Sequence, residues 1–134
     1  MNERNELGFE RLIVYQRAKT YAILIYSMLK NFPIEEKYAL CDQLRRASVS
    51  VVSNIAEGTS RNTLKEKIHF LDIAYGSLME TYSQMDLAKD LNYISLDELN
   101  IVRTHVLDIL KVMAGLKRSY QVEASKPQKP ITDN

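Results

Sequence analysis

Apolar residues recur along this chain at spacings of three and four, broken by short polar stretches. That period belongs to amphipathic helices, not to strands. Val14, Ala18, Tyr21, Ile25 and Met28 form the first stripe and predict a helix over about residues 11–30. Phe32-Pro33 stops it, because the residue before a proline is pushed out of helical geometry. Leu40, Leu44, Ala47, Val51 and Ile55 form a second stripe, predicting a helix over about 34–57. Pro33, Glu35 and Glu36 suit the first turn of that helix. Gly58 suits the left-handed residue that closes it.

Thr63 and Glu66 have the spacing of a capping box and open a third helix, about 63–91. Its stripe is Leu64, Ile68, Leu71, Tyr75, Leu78, Tyr82 and Met85. Gly76 lies inside it at a cost of about 1 kcal/mol against alanine, which predicts a close helix approach there. A second capping box, Ser95 and Glu98, opens a fourth helix, about 95–118, lined by Leu99, Val102, Val106, Ile109, Met113 and Leu116. Residues 1–9 read as an N-terminal segment, and 119–134, with Pro127 and Pro130, as a mobile C-terminal tail. Short connections make successive helices antiparallel. The expected fold is therefore all-α, an up-down-up-down four-helix bundle over residues 10–118.

A chain of 134 residues with 46% hydrophobic content builds one core without staples. Cys41 is the only cysteine, so no intrachain disulfide forms. The longest apolar run, Tyr21 to Leu29, falls short of the roughly 20 residues a membrane span needs. The polar start, Met1 to Glu6, does not resemble a signal peptide. These features read as a cytoplasmic protein with no membrane partner.

Candidate chemistry is sparse. A di-iron bundle needs two Glu-x-x-His pairs facing inward. Glu66 and His69 supply one, but His105 has Val102 three residues before it. Cys41, His69 and His105 lack zinc-site spacing, and four glycines in all make no phosphate-binding loop. The residues point to no catalytic site, no metal and no cofactor, hence to a protein that is not an enzyme.

The informative anomaly runs from Ala47 to Ala56, ten residues without a charge. A helix that buries one face should carry charge on the other. Val49, Val52, Ser53 and Ala56 lie off the inward stripe and read as a subunit interface. The competing explanation is a bundle that wraps this helix more deeply. Asn54, at the stripe's edge, suits a polar residue that fixes register.

Net charge is only +1, yet residues 45–69 carry Arg45, Arg46, Arg61, Lys65 and Lys67 against two acids, and the first helix adds Arg17. Residues 70–92 reverse the balance, with four acids against Lys89. Two explanations fit. The basic residues contact nucleic acid, or basic and acidic regions pair within or between subunits; Glu57 or Glu80 could then hold Arg45 and Arg46.

Several stretches resemble a known family: Leu12-Ile13-Val14-Tyr15-Gln16-Arg17-Ala18, Asn31-Phe32-Pro33-Ile34-Glu35-Glu36, and Gln43 through Ser50. Asn54-Ile55-Ala56-Glu57-Gly58 with Arg61 is another, followed by Glu66, Phe70-Leu71, Ala74, Gly76-Ser77 and Glu80. Together they look like the bacterial four-helix-bundle proteins encoded in ribosomal RNA intervening sequences. Accessory proteins of diversity-generating retroelements are similar relatives. The likeness covers about residues 8–118, with Tyr15 standing where many relatives carry Trp. It implies a ring-shaped homopentamer without enzymatic activity that associates with RNA or DNA and, in the retroelement branch, with a reverse transcriptase. A protein–protein assembly or adaptor module with no nucleic-acid binding of its own is the alternative.

Overall fold

The computed structural model describes residues 7–127, all of whose regular structure is helical. A single 3-10 turn, Gly8–Arg11, leads into α1 (Ile13–Leu29), and a second, Ile34–Glu36, separates α1 from α2 (Leu40–Thr59). Helices α3 (Leu64–Asp90) and α4 (Leu96–Ser125) complete the chain. Each helix packs on its neighbours in sequence, and α1 also packs on α4, closing an up-down-up-down bundle.

The predicted stripes form the core. Val14, Ala18, Tyr21 and Ile25 of α1 meet Leu44, Val51 and Ile55 of α2, with Val102, Val106 and Ile109 of α4 opposite. Each large aliphatic side chain buried this fully contributes about 1.5–3 kcal/mol. Tyr75 is a correction, since it is 50% exposed. The inward line of α3 instead runs through Leu71, Ala74, Leu78, Thr81, Met85 and Ala88.

One polar contact crosses the middle. The Tyr21 hydroxyl lies 2.8 Å from Thr81 Oγ1, joining diagonal helices α1 and α3. Thr81 spends its one hydroxyl proton on the Leu78 carbonyl at 2.6 Å, so Tyr21 donates and Thr81 accepts. Burial of the ring pushes the Tyr21 phenol up to about 12, with the nearby Tyr82 adding to that shift.

The helix ends differ from expectation in instructive ways. Helix α2 starts at Leu40, not near 34, because the Glu36 carboxylate accepts the Leu40 N–H at 3.1 Å and restarts the helix there. Gly58 is not a left-handed closing residue; it stays inside α2, buried, with no positive φ. That stop chemistry falls instead to Asn92, at φ 64° after α3. There the Tyr93 N–H reaches the Ala88 carbonyl at 2.9 Å and the Asn92 N–H reaches Lys89 at 3.0 Å, a Schellman closure. Thr63 accepts the Glu66 N–H, and Ser95 and Glu98 bond reciprocally. Helix α4 also runs seven residues past Arg118, so residues 119–125 are helix, not tail. Tyr120 holds them, packing half-buried against the core. Residues 1–6 and 128–134 lie outside the described residues, and with them most of the N-terminal segment and Pro130.

The two interior glycines exchange the expected roles. A Cβ on Gly58 would sit 2.8 Å from the Cβ of Phe70, so α2 and α3 approach closely there. A Cβ on Gly76 would meet nothing within 4 Å. Gly58→Ala is therefore expected to destabilise by about 1–3 kcal/mol through overpacking, despite the better helix propensity of alanine. Gly76→Ala is expected to stabilise by about 0.5–1 kcal/mol. Urea unfolding of both variants checks the pair, and the opposite order would contradict this packing.

Tyr21 gives a second expectation. Its phenol ionises near 10 when unfolded and near 12 in the fold. Stability from this group is whole below pH 10, then falls as pH rises through about 12, because the unfolded state gives up the proton first. The loss reaches about 2–3 kcal/mol, and Tyr21→Phe should remove it. Denaturation at pH 9 and pH 12 for both proteins measures the difference.

Candidate functional site

The charge-free stretch of α2 divides between two faces. Ser48 is fully buried and bonds the Arg45 carbonyl at 3.1 Å. Ser50 meets Ser77 of α3, hydroxyl to hydroxyl, at 2.7 Å. Asn54 donates to the carbonyl of Ser50 at 2.8 Å and to its hydroxyl at 3.0 Å. Small side chains here let α3 approach, so this half of the anomaly belongs to the protomer's own packing.

The other half faces outward. Val49, Val52 and Ser53 line an open groove with Lys19, Ala22, Ile23 and Tyr26 of α1. Ile23 is 65% exposed, Val49 45% and Tyr26 42%. Ala56 continues the same helix face at i, i+3, i+4, i+7 from Val49 without lining the groove. Ile23 and Tyr26 were not among the residues expected at an interface. Their signal was legible, since α1 carries no charge from Thr20 to Leu29, the pattern singled out in α2.

The basic residues do not form one patch. Arg45 and Arg46 lie near the start of α2, while Arg61, Lys65 and Lys67 flank its end. Fourteen helical steps from Arg45 to Thr59 at 1.5 Å each separate the groups by about 21 Å. Most are also occupied within the protomer. Arg45 donates to the Lys37 carbonyl at 2.7 Å, and Arg46 pairs with Asp42 at 3.3 Å. Asp42, not Glu57 or Glu80, is therefore their carboxylate. Arg61 pairs with Glu57 and lies 4.7 Å over the Phe70 ring. Lys67 donates to the Thr59 carbonyl at 2.9 Å, closing the end of α2, and faces the Tyr120 ring at 6.0 Å. Arg17 reaches Asp108 of α4 at 3.8 Å. Lys65 is exposed and makes no such contact.

The remaining candidates for chemistry are scattered. His69 is exposed against Phe70, and His105 lies beside Tyr21. Burial pushes the Cys41 thiol up, with Arg45 opposing, which disfavours a reactive thiolate. Among the described residues no three His, Cys, Asp or Glu side chains gather as metal ligands, and no helix is long and apolar enough to cross a membrane.

Fold and surfaces together define a four-helix-bundle protein with an open apolar groove and dispersed charge. The chain belongs to the 23S rRNA-intervening sequence protein family, whose sequence model matches residues 10–115. Among solved structures it is similar to a protein of unknown function from the S23 ribosomal protein family of Bacteroides thetaiotaomicron VPI-5482, determined at 1.70 Å. Identity is 21% and the TM-score 0.70, covering 78% of this chain and 98% of that one. At that identity the likeness speaks to the fold alone. No curated protein matches the chain in sequence.

Proposed function

We propose that this protein is a non-enzymatic homo-oligomeric scaffold that associates with nucleic acid, the family likeness supplying five subunits in a ring. The groove between α1 and α2 carries the assembly half of this reading. Ile23, Tyr26, Val49 and Val52 form a contiguous apolar surface, whereas isolated apolar residues are the ordinary state of a monomer's surface. Val52, Ser53 and Ala56 offer little side-chain bulk, which suits a second copy. The 23S rRNA named by the family supports the nucleic-acid half.

The second reading is an assembly or adaptor module with no nucleic-acid binding of its own, a reverse transcriptase being one partner the retroelement likeness suggests. The engagement of Arg17, Arg45, Arg46, Arg61 and Lys67 within the protomer favours it.

Ile23→Glu and Val52→Glu separate assembly from folding. A charge trapped unpaired in an interface costs several kcal/mol, while Ile23, 65% exposed in the protomer, sacrifices little there. Both variants should run as 15.5 kDa monomers in light scattering and keep their helical circular dichroism. Unchanged assembly in both would place any interface elsewhere. For nucleic acid, binding to a labelled RNA should fall steeply with salt, as phosphate contacts require. No binding even at roughly 50 mM salt would leave the adaptor reading.

A further inference from the structure

A near-neutral total hides a separation of charge along the bundle axis. A plane through the Ser50–Ser77 and Arg17–Asp108 contacts cuts the described chain into two halves. The half holding the α2–α3 turn comprises residues 7–17, 50–77 and 109–127, with nine basic and five acidic side chains, net +4. The opposite half, residues 18–49 and 78–108, has seven basic and nine acidic, net −2.

Pairing sharpens the contrast. Among the described residues, five exposed cations have no ion pair, hydrogen bond or ring partner: Lys30, Lys65, Lys111, Arg118 and Lys126. Four of the five lie on the positive half, Lys111 and Arg118 on α4 and Lys126 at its C-cap. Lys111 and Arg118 follow at i and i+7, which keeps them on one face of α4 about 10 Å apart, and Lys126 caps that helix just beyond its last residue, Ser125. Glu123 beside Arg118 and Lys126 is the one acid in that groove. The stripe continues past residue 115, where the family match ends, on the turns that Tyr120 anchors.

We infer that this end of the bundle, with the α4 stripe at its centre, is where a phosphodiester backbone docks. The inference rests on the nucleic-acid reading above and moves the site away from Arg45 and Arg46, which share the Asp42 carboxylate. Unpaired, solvated cations contribute counterion release on binding, whereas paired ones must first give up their carboxylates. In an assembly whose protomers point the same way, the four cations repeat once per subunit on the same half, and avidity multiplies weak contacts by about 10²–10⁴.

The test titrates the assembled protein with a fluorescein-labelled 30-nucleotide single-stranded RNA, and with DNA of the same sequence, across salt. Three proteins are compared: wild type, the triple variant Lys111→Gln, Arg118→Gln, Lys126→Gln, and Arg45→Gln, Arg46→Gln from the opposite end. All three side chains are exposed, and circular dichroism confirms the fold. The triple variant should bind at least about tenfold more weakly at moderate salt, with the slope of log K against log salt shallower by about 2, at roughly 0.7 per contact. RNA and DNA should behave alike, and the Arg45, Arg46 variant should match wild type. Wild-type binding that the triple variant retains would overturn this assignment alone. Absence of wild-type binding to both probes would remove the nucleic-acid reading and this site with it. Salt-sensitive stacking of assemblies that the triple variant abolishes, with RNA binding unchanged, would reassign the stripe to the acidic end of another copy.

Discussion

Helices α2 and α3 are held together by a seam of small residues, and most of the protein's surface follows from it. Gly58 lets the backbone of α2 approach the Cβ of Phe70, and the Ser50–Ser77 hydroxyl pair needs the same close spacing farther along. Once these residues face α3, helical geometry leaves Val49, Val52 and Ser53 on the side toward α1. That side has only α1 to cover it, and Ile23 and Tyr26 border it without closing it. The uncovered groove is thus the consequence of a tight contact elsewhere. Tyr21 and Thr81 add the other constraint, a hydrogen bond across the diagonal of the core. A slip of one helix along its axis would leave Tyr21 with a buried, unpaired hydroxyl, which costs about 1–3 kcal/mol.

Much of the fold was legible because four long stripes keep one period. Every predicted inward residue of α1 and α2 is buried, and the spacing of Ser95 and Glu98 marked the start of α4. The misses share a physical origin: local residue type does not reveal what lies across a helix contact. Gly58 and Gly76 look alike in sequence, and only the position of Phe70 separates a needed glycine from one facing open space. Tyr75 obeys the three-four spacing, yet Ala74 takes the core position. The extension of α4 depends on Tyr120 packing half-buried against the core near the end of α2, and such long-range contacts leave no periodic trace. For the candidate site, both sides of the groove carry the same signal, a missing charge, in α2 from Ala47 to Ala56 and in α1 from Thr20 to Leu29.

Charge was the least legible property. Counting along the chain groups Arg45 and Arg46 with Arg61, Lys65 and Lys67, because they are close in sequence. The fold sends them to opposite ends of α2 and gives most of them partners. Cations far apart in sequence, Lys65, Lys111, Arg118 and Lys126, fall in the same half of the bundle instead. Exposed ion pairs add only about 0–1 kcal/mol to stability, so their larger effect here is on which cations remain available. An apolar groove on the flank and unpaired cations at one end suit a protein that assembles side by side and presents its ends.

The central claim is that the α1–α2 groove is covered by another copy of the chain. Native mass spectrometry of the unmodified protein at micromolar concentration tests it most directly. The account predicts a single species at a whole-number multiple of 15.5 kDa, five being the multiple the family likeness implies. A species at 15.5 kDa alone would contradict it.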